Sequence, residues 1–119
     1  MEGKGEGQSM SPSNTEHLHG TLELLVLKIL ERGSMNGYAI GKRIQELTED
    51  ELRVEEGSLY PALYRMQRRG WLKSEWGASE NNRKAKFYRL SRSGRTRLEK
   101  ETAAWGNFAD AVGKILGSA

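Results

Sequence analysis

The fold of this 119-residue chain is decided by residues 56–70, whose sequence is EGSLYPALYRMQRRG. Its small and apolar residues recur at the three- and four-residue spacing of one helix face: Leu59, Ala62, Leu63 and Met66. Gly70 favours the end of the helix at this point. Pro61 is expected in the first turn of the helix, where a missing N–H costs little. The segment therefore predicts a helix that starts at Gly57 or Ser58 and ends at Arg69.

The exposed side of this predicted helix is aromatic and cationic. A step of about 100° per residue from Leu59 leaves five side chains away from the core: Tyr60, Pro61, Tyr64, Arg65 and Arg68. No acid occurs between Ser58 and Lys73. Arginine can pair with guanine and tyrosine can contact phosphate or a thymine methyl, so this face is typical of a helix in the DNA major groove. Each tyrosine taken alone is equally consistent with a packing role.

A β-hairpin is predicted directly after this helix. Residues 71–76 and 85–90 have the composition of short strands, and the polar connection over residues 77–84 favours a turn. Three cations lie at or next to its tip: Arg83, Lys84 and Lys86. Side chains at a hairpin tip cannot reach their own core, so we expect this charge to contact a DNA backbone or minor groove.

Three further helices complete the predicted order. The first covers Leu18–Arg32, with apolar side chains on more than one side, and the second covers Gly37–Leu47 behind an Asn36 N-cap, with Leu47 facing inward. Ser91 caps a final helix that extends to about Leu116. Leu52 and Val54 alternate with polar residues, which favours one short strand between the second and third helices.

This order predicts a mainly α fold with a small β-hairpin (α+β), namely a winged helix-turn-helix with an appended C-terminal dimerisation helix. Residues 1–16 hold almost nothing apolar and are predicted to be a flexible leader. Residues 17–90 are predicted to form the DNA-binding domain, and residues 91–119 the dimerisation helix.

Apolar residues of the final helix recur seven apart, in two rows offset by three, which indicates a short coiled-coil-like seam interrupted at Glu101. A domain of this size buries little surface by itself, so pairing with a second copy is expected. The predicted interface combines this seam with the first helix: Leu22, Leu25, Val26, Ile29, Leu98, Trp105, Phe108, Val112 and Ile115. Trp105 is interpreted either as interface core or as the wall of a pocket for a flat aromatic effector.

The charge distribution points to a polyanionic partner. Residues 57–97 hold 11 Lys and Arg against 2 Asp and Glu, whereas the whole chain has a net charge of +3. A segregated basic block is typical of a nucleic-acid-binding face.

Other chemistries lack support in the sequence. The chain has no cysteine, and His17 and His19 alone do not make a metal site. No catalytic constellation, signal peptide or membrane-spanning run is evident, so we expect a cytoplasmic protein that is not an enzyme and has no metal, no cofactor and no membrane partner.

Four stretches together resemble the PadR-like transcriptional regulators: residues 37–40 (GYAI), 56–66 (EGSLYPALYRM), 70–72 (GWL) and 83–91 (RKAKFYRLS). The resemblance covers about Gly20 to Leu98. It implies a winged helix-turn-helix that dimerises through its last helix, packed on the partner's first helix, and that binds a palindromic operator, usually as a repressor. Phe87 departs from the tyrosine common at its position, and the single C-terminal helix resembles that of the shorter members.

The resemblance also implies roles for particular residues. Ser58, Tyr60, Pro61 and Arg65 correspond to recognition-helix positions, and Tyr38 to the start of the supporting helix. Arg83 and Lys84 correspond to the wing tip.

The function predicted from the sequence is a homodimeric, sequence-specific transcriptional regulator of bacterial type that binds double-stranded DNA. Two alternatives from other classes stay open. One is a winged helix that serves as a protein-interaction module, with its basic face on an acidic partner. The other is a dimer that senses a small molecule and whose DNA affinity is secondary.

Overall fold

A computed structural model describes the backbone of residues 11–117 and the side chains of residues 21–117. The elements follow in the order α1 (Ser11–Leu30), β1 (Met35–Asn36), α2 (Gly37–Leu47), α3 (Glu56–Arg68), β2 (Leu72–Ala78), β3 (Lys84–Leu90) and α4 (Arg92–Leu116). This arrangement confirms the predicted mainly α fold, in which a hairpin of β2 and β3 forms the wing behind α3.

The predicted caps of α2 and α4 are confirmed. The backbone N–H of Ala39 donates to Oδ1 of Asn36 at 2.8 Å, and the backbone N–H of Gly94 donates to Oγ of Ser91 at 3.0 Å. Each side chain satisfies an N–H that has no partner within its helix. The bounds predicted for α2 also agree with the structure.

The sheet has three strands in the order β1-β3-β2, all antiparallel. The short edge strand β1, Met35–Asn36, pairs with Tyr88 and Phe87 of β3, and β2 forms the other edge. The strand predicted around Leu52 and Val54 was wrong. Both side chains lie in the connection between α2 and α3 and pack, partly buried, against the core.

The core forms around α1, which packs against α2, α3, β3 and α4. Its fully buried large side chains are Val26, Leu27, Leu30, Ile40, Leu63 and Met66. Four residues assigned from the sequence to the dimer interface belong to this core instead: Leu22, Val26, Ile29 and Leu98. The assignment failed because these side chains are covered within one protomer and retain almost no surface for a partner.

Three local predictions also differ from the structure. Helix α1 begins at Ser11, so it overlaps the leader predicted over residues 1–16, and residues 1–10 lie outside the described part. Pro61 is the sixth residue of α3 and not in its first turn, because α3 begins at Glu56. Leu47 is 57% exposed, since it is in the last turn of α2 beyond the reach of the core.

The end of α3, both ends of the wing and the start of α4 meet at one tight joint. Gly70 adopts φ +83°, and the N–H groups of Gly70 and Trp71 close α3 by donating to the carbonyls of Gln67 and Met66 at 2.9 and 3.0 Å. The Ser93 hydroxyl donates to the Gly70 carbonyl at 2.8 Å, which ties α4 to this turn.

Gly94 allows the closest approach in the joint, because a β-carbon there would overlap the carbonyl oxygen of Trp71. We expect Gly94→Ala to lower the free energy of unfolding by about 1–3 kcal/mol, as overpacking against rigid backbone does. Urea unfolding measures this change. The matched control is Gly113→Ala in the same helix, where a β-carbon meets nothing within 4 Å. It should raise stability by about 0.5–1 kcal/mol, and equal effects of the two changes would contradict the role of Gly94.

Candidate nucleic-acid interface

A cleft between the wing and the N-terminal ends of α2 and α3 collects five of the ten residues predicted to bind DNA. It has a volume of about 510 Å³. Its walls include the aromatic rings of Tyr38, Tyr60, Trp76 and Tyr88 and the cationic side chains of Arg83, Lys84 and Lys86. The fold therefore brings the supporting helix, the recognition helix α3 and the wing to one surface.

The wing presents its cations on an aromatic base. Trp76 of β2 is paired in register with Lys86 of β3, so the two side chains share a face of the hairpin with Lys84. The ammonium groups lie over the Trp76 ring, Lys84 at 5.0 Å from its centroid and Lys86 at 6.0 Å. Because Trp76 is 61% exposed, a planar surface with two cations above it faces the cleft.

Tyr60 is held at the base of the cleft by its contact with Gly37. A β-carbon at Gly37 would lie 2.5 Å from Cε1 of the Tyr60 ring, so only glycine admits the ring in this position. Burial raises the pKa of Tyr60, and the Glu56 carboxylate adds to that rise. Burial likewise raises the pKa of Tyr88, with a smaller contribution from Tyr60. Both phenols keep their protons at neutral pH, so each O–H is a donor for an anionic acceptor.

The outward face of α3 is divided between two sides. Tyr64 is 61% exposed and carries the Arg68 guanidinium 5.8 Å from its ring centroid. Ser58, Pro61 and Arg65 line a separate hollow beside α1. Arg65 Nε lies 3.5 Å from Oε2 of Glu23, an acid of α1. The sequence prediction thus grouped residues that the fold separates into a cleft on one side of α3 and a hollow on the other.

Two functional candidates were missed from the sequence. Trp76 had a usable signal, because strand alternation places it across from Lys86 at an outward position. Glu23 had no such signal in the sequence, because its approach to α3 depends on how two helices far apart in sequence pack together.

The second candidate surface is the seam of α4. Beyond Leu98 no residue of this helix is buried, and its apolar side chains are open to solvent: Trp105 (48% exposed), Phe108 (61%) and Ile115 (77%). The rings of Trp105 and Phe108 lie 6.1 Å apart. Val112 and Leu25 are half-buried.

Two further sequence expectations concern other parts of the chain. His17 and His19 lie in α1, where the side chains fall outside the described residues. Among the helices of residues 11–117, none combines the length and the apolarity required to cross a bilayer.

Comparison with known proteins agrees with this architecture. The "Transcriptional regulator PadR-like family" matches residues 26–100. A PadR family transcriptional regulator from Eggerthella lenta is 33% identical, with 90% of this chain and 92% of that chain covered and a TM-score of 0.71. A PadR-like transcriptional regulator from Bacillus cereus is 30% identical, with coverages of 85% and 96% and a TM-score of 0.73.

A transcriptional regulator from Clostridium thermocellum is 25% identical, with coverages of 83% and 96% and a TM-score of 0.76. With the family match over more than half of its length, this chain belongs to the PadR-like family of DNA-binding transcriptional regulators and is not an enzyme.

Proposed function

We propose that this protein binds a palindromic DNA operator as a homodimer and represses transcription in the cytoplasm. The observation that carries the proposal is the shared surface of α3 and the wing, where tyrosines of two helices face the cations of the hairpin across one cleft. A duplex fits such a surface, since a helix enters the major groove while flanking cations contact phosphates.

Each part of the surface has a distinct role in this proposal. Tyr64, Arg65 and Arg68 of α3 face the base edges, with Ser58 and Pro61 at the entry of the helix into the groove. The hydroxyl groups of Tyr38 and Tyr60 donate hydrogen bonds to phosphates of one DNA strand. Arg83, Lys84 and Lys86 contact the backbone beside the recognition site and supply affinity that is independent of sequence.

Dimerisation through residues 91–119 is the second element of the proposal. A helix whose outer turns have no buried residue gains little stability from its own protomer. Covering Trp105, Phe108, Val112 and Ile115 with a second copy removes their apolar surface from water, and the half-buried Leu25 offers a further contact on α1. The two recognition helices then reach successive major grooves, about one helical turn apart.

A second candidate function is the sensing of a flat aromatic molecule. The observation that favours it is the exposed pair of Trp105 and Phe108 rings, 6.1 Å apart on the proposed dimer seam. Two copies of this pair across a twofold axis would bracket a planar ligand, and binding there would alter the spacing of the recognition helices.

Selection of bound sequences from a random duplex pool tests the proposed function directly. We expect recovery of an inverted repeat with half-sites about 10 base pairs apart, because the dimer axis imposes its symmetry on the DNA. Recovery of no consensus, together with tight binding to an acidic protein, would favour the interaction-module alternative. A single, unrepeated half-site would contradict the dimeric part of the proposal.

The contact between Gly37 and Tyr60 gives a prediction for DNA affinity. Gly37→Ala displaces the end of the Tyr60 side chain, so we expect affinity for the selected operator to fall about 5-fold, the equivalent of one hydrogen bond of about 1 kcal/mol. Fluorescence anisotropy of a labelled operator measures it. Gly41→Ala is the control, because its β-carbon meets only Leu59 at an ordinary 3.5 Å. Equal affinities of the two variants for the operator would show that Tyr60 does not contribute to DNA binding.

The exposed seam of α4 gives a prediction for assembly. Phe108→Asp places a charge in the proposed interface, and we expect the dimer dissociation constant to rise at least 10-fold, since burying an unpaired charge is unfavourable. Sedimentation equilibrium measures this constant. Ala103→Asp adds the same charge at an exposed position about 140° around the helix from Phe108 and should leave the dimer intact. A wild-type protein that remains monomeric at high concentration would overturn the proposal.

A further inference from the structure

Glu23 of α1 contacts two arginines at once: Arg65 of α3 and Arg69, the residue that follows α3. Its Oε2 lies 3.5 Å from Nε of Arg65, and its Oε1 lies 3.4 Å from a terminal nitrogen of Arg69. Arg69 is held in turn by Trp71, whose ring centroid is 5.2 Å from the guanidinium carbon. The Glu23 side chain is 30% exposed, less than those of Arg65 and Arg69. The carboxylate is therefore the least exposed charge of this group.

These ion pairs contribute little to the stability of the fold. Both arginine side chains are about half exposed, at 51% and 53%. Pairs of this kind are screened by water and contribute little to the free energy of unfolding. An acid beside the DNA-binding helix also repels the phosphates of DNA. Because Glu23 adds little to stability, we looked to DNA binding for its role.

The atom through which Arg65 is held supplies that explanation. The closest approach of Glu23 is to Nε, so the edge formed by the two terminal nitrogens can face away from the carboxylate. Guanine is read by a pair of parallel donors on one edge of an arginine, to its O6 and N7. An arginine fixed at Nε keeps such an edge available while its long side chain is restrained.

We propose that Glu23 is a positioning residue for base recognition, which orients Arg65 toward a guanine of the operator. This inference rests on the proposed function, because it presupposes that α3 reads sequence. Restraining Arg65 before binding lowers the entropy lost on forming the base contact. Binding to DNA through phosphates alone does not need that orientation.

The proposal predicts separate effects on the two kinds of DNA. Removing the charge of Glu23 relieves a repulsion from phosphates, which strengthens binding to any duplex by the same factor. Loss of the restraint on Arg65 weakens binding only where Arg65 reads a base. The ratio of operator affinity to random-duplex affinity therefore isolates the positioning effect.

The experiment uses the full-length protein, the inverted repeat recovered by selection, and a scrambled duplex of equal length and composition. We expect Glu23→Gln to raise affinity for the scrambled duplex about 2-fold or more. We expect the ratio of operator to scrambled affinity to fall about 2- to 5-fold, because an exposed ion pair supplies no more restraint than its own small stabilisation. Anisotropy titrations at two salt concentrations give both quantities.

Glu31→Gln is the matched control. Glu31 is an acid just beyond the end of α1 that pairs with Lys28 at 2.7 Å, and its loss makes the same change in net charge. It should leave the ratio unchanged. Glu23→Asp keeps the charge but shortens the side chain, so we expect it to lower the ratio without strengthening binding to the scrambled duplex.

A third variant tests whether the effect acts through Arg65. In an Arg65→Ala background, Glu23→Gln should leave the ratio as it is, because nothing remains to be oriented. Partial unfolding of a variant lowers both affinities equally and does not move the ratio.

The outcomes separate this inference from the proposed function. If wild-type protein recovers no consensus sequence, the proposed function fails. If it recovers one and Glu23→Gln keeps the wild-type ratio, base reading stands and the positioning role of Glu23 is overturned. A drop in ratio that persists without Arg65 would also overturn it.

Discussion

The contact between Gly94 and the backbone of Trp71 is the constraint on which the rest of the structure depends. At this point α3 has just ended, β2 is about to begin, and β3 has returned to enter α4. Because a side chain at position 94 would overlap the Trp71 carbonyl, the first turn of α4 lies directly on the turn that follows α3. The directions of the recognition helix, the wing and α4 are therefore set by one piece of closely packed backbone.

Long cationic side chains on this scaffold are ordered by aromatic rings. Lys84 and Lys86 lie over Trp76, Arg68 lies beside Tyr64, and Arg69 lies against Trp71. Lysine and arginine lose about 2 kcal/mol of rotamer entropy when they are fixed. Partial ordering in the free protein reduces what remains to be lost on binding, so the aromatic residues support affinity even where they do not touch the ligand.

The features that the sequence predicts well are those whose signal is local. Asn36 and Ser91 cap helices through side chains three residues from the N–H groups they bind, and Gly70 ends α3 through its own φ. The wing cations are likewise placed by a local signal, namely their position at or next to the polar turn between two short strands. The role of Leu22 and Val26 was not predictable in this way, because an apolar stripe does not say whether its cover comes from the same chain or from a second one. The pairing of Glu23 with Arg65 was not predicted either, because it depends on how α1 packs against α3, which no local pattern in the sequence indicates.

A chain of contacts extends from the recognition helix to α4 through this joint. Glu23 holds Arg69, Arg69 lies against Trp71, and the Arg97 guanidinium of α4 lies 4.7 Å from the centroid of the same ring. Arg97 is paired in turn with Glu101, one turn further along the helix. In the proposed dimer, a rotation of α4 would move Arg97 against Trp71 and so disturb the group that orients Arg65. The spacing of the two recognition helices and the orientation of their arginines would then change together, because both depend on the same packed joint.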